Sequence, residues 1–99
     1  EVFAVMFLDS RHRLIRFERM FSGTLTQTSV YPREIARRGL QLNAAAVIAS
    51  HNHPSGVAEP SRADQLLTTC LRRSLAVLEI ELLDHLIVAG NRIISAGAA

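Results

Sequence analysis

A short apolar segment that runs into two histidines is the feature that most restricts how this chain can fold. The segment extends from Ala44 to Ser50 and continues as His51-Asn52-His53-Pro54. Its length and composition favour a central strand of a sheet. Because binding sites in open α/β sheets lie beyond the carboxyl ends of strands, the sequence predicts an α/β domain with a site at this strand end.

The two histidines have the spacing of metal ligands. Residues two apart in an extended segment point to the same side, so His51 and His53 can converge on one ion. A glycine and a proline further along indicate a loop that would return Asp64 to the histidines. Catalytic zinc takes three protein ligands and leaves a fourth position for water. The sequence therefore predicts a zinc site formed by His51, His53 and Asp64.

The other strands and helices are predicted from apolar periodicity and turn residues. The predicted elements are strands at Glu1–Asp9 and Leu14–Phe21, a helix at Pro32–Asn43, the strand already named, a helix at Ser61–Leu78, and strands at Leu82–Ala89 and Arg92–Ala96. Turns are predicted at Ser10–Arg13 and Gly90-Asn91, and residues Ser22–Tyr31 are predicted to form a loop with a short strand. The order ββαβαββ predicts one mixed sheet with helices, in two or three layers.

Apolar residues at helical spacing predict the buried face of each helix. They are Ile35, Ala36, Gly39 and Leu40 in the first helix, and Ala63, Leu66, Leu67, Cys70, Leu71 and Leu78 in the second. The first helix would also carry an ion pair between Glu34 and Arg38. At the start of the second, Ser61 and Asp64 have the spacing of a capping box. That role is compatible with metal binding, because the helix start fixes where Asp64 points.

The composition predicts one small globular domain. The chain has 99 residues, of which 48% are hydrophobic and 20% charged. It contains one cysteine and no apolar run long enough to span a membrane, so we expect a cytoplasmic protein without disulfides or a membrane segment. The basic residues are all arginines, and Arg11, Arg13, Arg16 and Arg19 are clustered. A net charge of +2 is too small to predict strong non-specific binding of nucleic acid.

Other catalytic arrangements fit the sequence less well. The chain lacks the His-x-Glu and Pro-Cys-x-x-Cys motifs of cytidine deaminases and the His-Glu-x-x-His helix of zincins. A nucleophile system of Cys70, His85 and Asp84 is disfavoured because Cys70 falls on the apolar face of its helix. For Asp84 and His85 two interpretations stay open: a polar pair at a sheet edge, or a role in supporting the metal ligands or the substrate.

Several motifs together resemble a known family. His-x-His-Pro followed by Ser-x-x-Asp is similar to the JAMM (MPN+) motif of zinc peptidases and isopeptidases. The longer matches are Phe7-Leu8-Asp9, Phe21-Ser22-Gly23-Thr24, Pro32-Arg33-Glu34, Leu42-Asn43-Ala44-Ala45, His51-Asn52-His53-Pro54-Ser55-Gly56 and Leu83-Asp84-His85-Leu86. Over essentially the whole chain they resemble the bacterial RadC family. The resemblance implies a three-layer α/β/α sandwich with a mixed sheet, the cytidine-deaminase-like (JAB/MPN) domain, with a single zinc ion.

The resemblance also implies a role for each site residue. His51, His53 and Asp64 would be the zinc ligands. Ser61 would form a hydrogen bond near the tetrahedral intermediate. The glutamate that precedes the first strand in JAMM proteins matches Glu1, which would be the general base. The Gly-x-Leu-x-Gly pattern that often follows this glutamate is absent here.

The implied function is a zinc-dependent hydrolase that cleaves an amide or isopeptide bond of a peptide or protein-conjugate substrate. Glu34 is the second candidate for the general base, although pairing with Arg38 explains it more simply. The alternative function is a catalytically silent module, associated with DNA repair, that binds a protein or DNA partner. RadC proteins usually carry an N-terminal helix-hairpin-helix segment, which these 99 residues lack. We therefore expect the chain to be a fragment, and any DNA affinity to come from that segment.

Overall fold

Strands and helices follow one another in the predicted order. The structure is a computed structural model that describes residues 1–23 and 29–97. Its elements are β1 (Val2–Leu8), β2 (Leu14–Ser22), α1 (Pro32–Gln41), β3 (Ala46–Asn52), α2 (Arg62–Ala76), β4 (Glu81–Ala89) and β5 (Arg92–Ser95). The short strand predicted between Ser22 and Tyr31 falls mostly on residues 24–28, which lie outside the described residues. Among the described residues, no helix is long and apolar enough to cross a membrane.

The five strands form one mixed sheet with the order β2-β1-β3-β4-β5. β1 is antiparallel to both β2 and β3, β3 is parallel to β4, and β4 is antiparallel to β5. The parallel pair is connected through α2, as parallel neighbours require a crossover. β3 is therefore central, and the predicted α/β class with a mixed sheet is confirmed.

Both helices pack on the same face of the sheet. Phe3, Val5 and Phe7 alternate along β1 and form one core with Ile35 of α1 and Leu71 of α2. The close approach of α1 depends on a glycine, because a Cβ atom at position 39 would lie 3.0 Å from the side chain of Ile80. The described residues thus form two layers, one of the two arrangements predicted from the element order. The three-layer sandwich implied by the resemblance would need a further helical layer, which is not among residues 1–23 and 29–97.

β3 begins and ends two residues later than predicted. The strand covers Ala46–Asn52 instead of Ala44–Ser50, because His51 and Asn52 are paired within the sheet. His51 lies opposite Phe3 of β1 and opposite Ile87 of β4. The first metal-ligand candidate is therefore held from both sides by neighbouring strands.

The predicted buried faces of the helices were partly wrong. Leu40, Leu66 and Leu78 are 53%, 42% and 41% exposed. Ala63 is exposed and Cys70 is half-buried, whereas Thr68 and Leu75 are buried. In α2 the reason is that the helix ends at Ala76, before Leu78, and buries only the narrow stripe formed by Leu67, Thr68, Leu71 and Leu75.

The predicted ion pair on α1 was also wrong. Arg38 pairs with Glu18 of β2 at 2.7 Å, and Glu34 pairs with Arg37 instead. The pair with Glu18 connects the helix to the sheet across 20 positions of sequence. A tertiary contact therefore replaced the local one.

Candidate metal centre

The first two ligand candidates lie at the carboxyl end of β3, as predicted. His51 is inside the strand, and His53 follows its last residue. The His53 N–H donates to the Val88 carbonyl at 2.8 Å, so the chain stays paired with β4 one residue further. This extended path keeps both imidazoles on the same side.

A tight loop fixes the His53 ring. Gly56 has a φ of +82°, a conformation that favours glycine, and its N–H donates to the His53 carbonyl at 3.1 Å. The chain then returns so that the Val57 carbonyl lies 2.8 Å from His53 Nδ1. A carbonyl can only accept, so we assign the ring proton to Nδ1. His53 Nε2 then faces the site with a lone pair.

Asp64 is held by the predicted capping box at the start of α2. The Asp64 N–H donates to Ser61 Oγ at 3.1 Å, and the Ser61 N–H donates to Asp64 Oδ2 at 2.8 Å. The two bonds fix the carboxylate toward the histidines. The segment therefore combines a helix cap with a position suited to a metal ligand.

The three ligand candidates meet at one point. His51 Nε2 and His53 Nε2 are 3.0 Å apart. Asp64 Oδ1 lies 3.1 Å from His51 Nε2, and Asp64 Oδ2 lies 3.2 Å from His53 Nε2. Tetrahedral zinc with bonds of ~2.0 Å holds its ligand atoms about 3.3 Å apart. The spacing of the three groups fits such an ion.

A chain of buried hydrogen bonds lies behind His51. His51 Nδ1 is 2.8 Å from His85 Nε2, and His85 Nδ1 is 2.7 Å from Thr68 Oγ1. The Thr68 hydroxyl donates to the Asp64 carbonyl at 2.8 Å. Every ring nitrogen that faces away from the site thus has a partner, and the Nε2 atoms of His51 and His53 are left for the site.

Burial shapes the electrostatics of the centre. Burial lowers the pKa of His51, and it lowers the pKa of His85 to about 4 with help from the neighbouring His51. Burial raises the pKa of Asp64, but hydrogen bonds from Ser61 and the nearby histidines outweigh this and leave that pKa below its usual range. A neutral His51 imidazole beside an ionised Asp64 carboxylate is the combination of protonation states that metal binding needs.

The centre is open on one side. The His51 side chain is 4% exposed, whereas those of His53 and Asp64 are 15% and 12% exposed. A cavity of about 370 Å³ lies there, lined by Glu1, Ser61 and these last two residues among others. Since Ser61 Oγ accepts from the Asp64 N–H, its own proton is left to donate toward the cavity.

Glu1, the predicted general base, lies beside the histidines. Its carboxylate and the ring nitrogens of His51 and His53 lie within 4.8 Å of one another. The backbone is held on both sides: the Gly23 N–H donates to the Glu1 carbonyl at 3.0 Å, and the Val2 N–H donates to Asn52 Oδ1 at 2.7 Å. Sequence reasoning missed Asn52, although its place between the two histidines puts it on the opposite side of the strand.

Asp84 and His85, adjacent in sequence, have different surroundings. Asp84 Oδ1 accepts from Ser95 Oγ at 2.6 Å and from the His85 N–H at 2.7 Å. His85 faces the interior, where both ring nitrogens contact His51 and Thr68. A nucleophile system with Cys70 is therefore excluded. Sequence reasoning missed Thr68, whose signal is a hydroxyl one helical turn after Asp64, among buried leucines.

The fold and this site define a JAB-type domain. The family model for RadC-like JAB domains matches residues 1–99, and the chain belongs to this family. A protein named UPF0758 from Leptothrix cholodnii is 61% identical over 96% of this chain and 43% of its own length. UPF0758 protein Mpe_A2695 of Methylibium petroleiphilum is 60% identical over 96% of this chain and 43% of its own. The chain thus spans less than half of the length of these curated relatives.

Proposed function

We propose that this domain is a zinc-dependent hydrolase that cleaves an amide or isopeptide bond in a peptide or protein conjugate. The observation that carries the proposal is the triangle of the His51, His53 and Asp64 side chains. The two Nε2 atoms are 3.0 Å apart, and the carboxylate places Oδ1 3.1 Å from His51 Nε2 and Oδ2 3.2 Å from His53 Nε2. The Asp64 carboxylate and the His53 Nε2 lone pair face one point together with His51 Nε2, an arrangement that a cation would stabilise. Zinc suits two imidazoles and one carboxylate.

The cavity beside this triangle supports a catalytic site more than a closed structural one. When bound, zinc would supply Lewis acidity toward a carbonyl and a water molecule. Glu1 would accept the proton from the attacking water and pass it to the leaving amine. The Ser61 hydroxyl would donate a hydrogen bond to the oxygen on which negative charge develops. Glu34 is disfavoured as the base because it pairs with Arg37 on α1.

A cleavage screen tests the proposal. The full-length protein, with one equivalent of zinc, would be incubated with a library of peptides and protein conjugates, and new amines would be measured. We expect cleavage that stops on chelation and returns with zinc, and a loss of at least about 100-fold in kcat in Glu1→Gln, as is typical for a general base. Unchanged cleavage in Glu1→Gln would reassign the base. A chain that retains no zinc and cleaves nothing would favour the non-catalytic binding module.

The cytoplasmic location is a further proposal, which the single cysteine supports.

A further inference from the structure

We propose that Thr68 and His85 are positioning residues that set the tautomer of His51, so that its Nε2 atom is free to bind metal. The inference rests on the proposed metal site. His85 is fully buried, and both of its ring nitrogens are in hydrogen bonds. Its ring packs edge-on against Phe3, with the two ring centroids 5.6 Å apart. A buried imidazole with two specific partners has its proton placed by those partners.

The Thr68 hydroxyl group determines which ring nitrogen of His85 carries the proton. Thr68 Oγ1 has a single proton, and the Asp64 carbonyl at 2.8 Å can only accept it. Toward His85 Nδ1 at 2.7 Å, the Thr68 oxygen must therefore accept. His85 then carries its proton on Nδ1 and accepts at Nε2 from His51 Nδ1 at 2.8 Å.

The other tautomer of His85 would block the metal site. If His85 carried its proton on Nε2, His51 Nδ1 would accept and His51 Nε2 would carry the proton. That proton would point toward His53 Nε2, which is 3.0 Å away, and would occupy the space between the ligand atoms that the ion needs. Ligand histidines commonly have their second nitrogen fixed in this way by a carbonyl or carboxylate. His53 follows that rule directly, through the Val57 carbonyl at 2.8 Å.

The chain of bonds also connects two ligands from different elements. Thr68 lies four residues after Asp64 in α2, while His51 lies in β3 and His85 in β4. The hydroxyl is bonded to the backbone of one ligand and, through His85, to the ring of another. Its removal should therefore affect metal binding far more than an exposed threonine would.

The test compares Thr68→Val with Thr69→Val in zinc affinity, measured by competition with a chelating dye. Val keeps the volume of Thr and removes the hydroxyl. Thr69 is a matched control because its hydroxyl also donates to the carbonyl four residues earlier, at 3.1 Å, but it is exposed. We expect about 10- to 100-fold weaker zinc binding in Thr68→Val and an unchanged affinity in Thr69→Val. Thr68→Ser, which restores the hydroxyl, should restore affinity.

A second measurement detects the tautomer itself. In the metal-free chain, at a fixed pH where the rings are neutral, ¹⁵N shifts report which nitrogen of His51 carries the proton. We expect Nδ1–H in the wild type and a shift toward Nε2–H in Thr68→Val and His85→Leu, with partial restoration in His85→Gln, whose amide oxygen can accept. If His85→Leu does not fold, the two Thr68 variants decide.

The outcomes separate this inference from the proposed function. If the wild type binds zinc and Thr68→Val keeps the wild-type affinity and His51 tautomer, the inference is overturned and the metal site stands. If the wild type binds no zinc, the proposed function fails, and an unchanged His51 tautomer in the variants overturns the inference as well. A changed tautomer with weakened zinc binding supports both.

Discussion

Asn52 Oδ1 accepts a hydrogen bond from the Val2 N–H at 2.7 Å, between residues 50 positions apart. The bond uses the side of β3 opposite to His51 and His53. One strand end thus presents the metal-ligand candidates on one side and holds the residue next to Glu1 on the other. The placement of the proposed base and of the proposed ligands therefore depends on the same few residues.

The first prediction concerns this bond. Asn52→Ala should lower the rate of hydrolysis about five-fold, because a hydrogen bond contributes about 1 kcal/mol and its loss would loosen Glu1. Zinc content should not change, since neither ligand histidine depends on the amide. Kinetics and metal analysis of the variant check this, with Asn91→Ala in the exposed β4–β5 turn as control. A loss of zinc in Asn52→Ala would contradict it.

The second prediction concerns the metal ligands. Purified protein should contain about one zinc per chain, as expected for a single site, and His51→Ala with His53→Ala together should abolish it. His12→Asn is the control, because His12 is exposed in the hairpin turn with a φ of 60°, which Asn tolerates. Metal analysis and circular dichroism measure occupancy and folding. Full occupancy in the double variant would remove these residues as ligands.

The third prediction concerns core packing. Leu71→Ala should lower the free energy of unfolding by about 2 to 5 kcal/mol, the range for a buried leucine. Leu71 is 0% exposed, whereas Leu66, on the same helix, is 42% exposed. Leu66→Ala is therefore the matched control, with an expected loss within about 1 kcal/mol. Urea titration distinguishes the two, and equal losses would mean that α2 packs by another face.

The fourth prediction concerns the pH dependence of stability. The hydrogen bonds and charge of Arg38 hold the pKa of Glu18 below its usual range. A carboxyl with a lowered pKa in the folded state stabilises the fold above its unfolded pKa, about 4.3 for Glu. That stabilisation is lost as the pH falls through the lower folded pKa.

Thermal melting at several pH values checks the sign. The wild type should melt above Glu18→Gln near neutral pH, and the gap should narrow below about pH 4.3. In an Arg38→Met background, where Glu18 has lost its partner, Glu18→Gln should lower the melting temperature much less than it does in the wild type. The double variant should therefore melt only slightly below either single variant. If the difference in melting temperature between the wild type and Glu18→Gln grew as the pH fell, the folded-state pKa of Glu18 would be raised instead of lowered.

The fifth prediction is weak binding of this domain to duplex DNA near physiological salt. The net charge is +2. Two of the clustered arginines also have acidic neighbours, since Arg13 lies 2.8 Å from Asp9 and Arg16 lies 3.7 Å from Glu18. These two pairs reduce the positive charge with which the cluster could release counterions from DNA. A fluorescence titration in increasing salt measures this, and tight, steeply salt-dependent binding would make the hairpin a DNA-binding surface.

Local signals in the sequence determined much of this protein. The order of strands and helices, the turn at Gly90-Asn91 and the capping box at Ser61 all depend on residues close together in the chain. The same holds for the histidine pair, because alternation along one strand places His51 and His53 on the same side. Short-range geometry is enough for such features, so they were predicted correctly.

Tertiary structure decided what long-range pairing controls. Leu82 and His85 are three residues apart, and simple alternation would place them on opposite faces of β4. Both are buried on one face because the register with β3 shifts between Val47 and Ile48. That irregularity turns His85 toward His51, and Thr68 reaches it only because α2 packs across this face. Contacts between elements far apart in the chain have no local sequence pattern, so only the folded structure could reveal them.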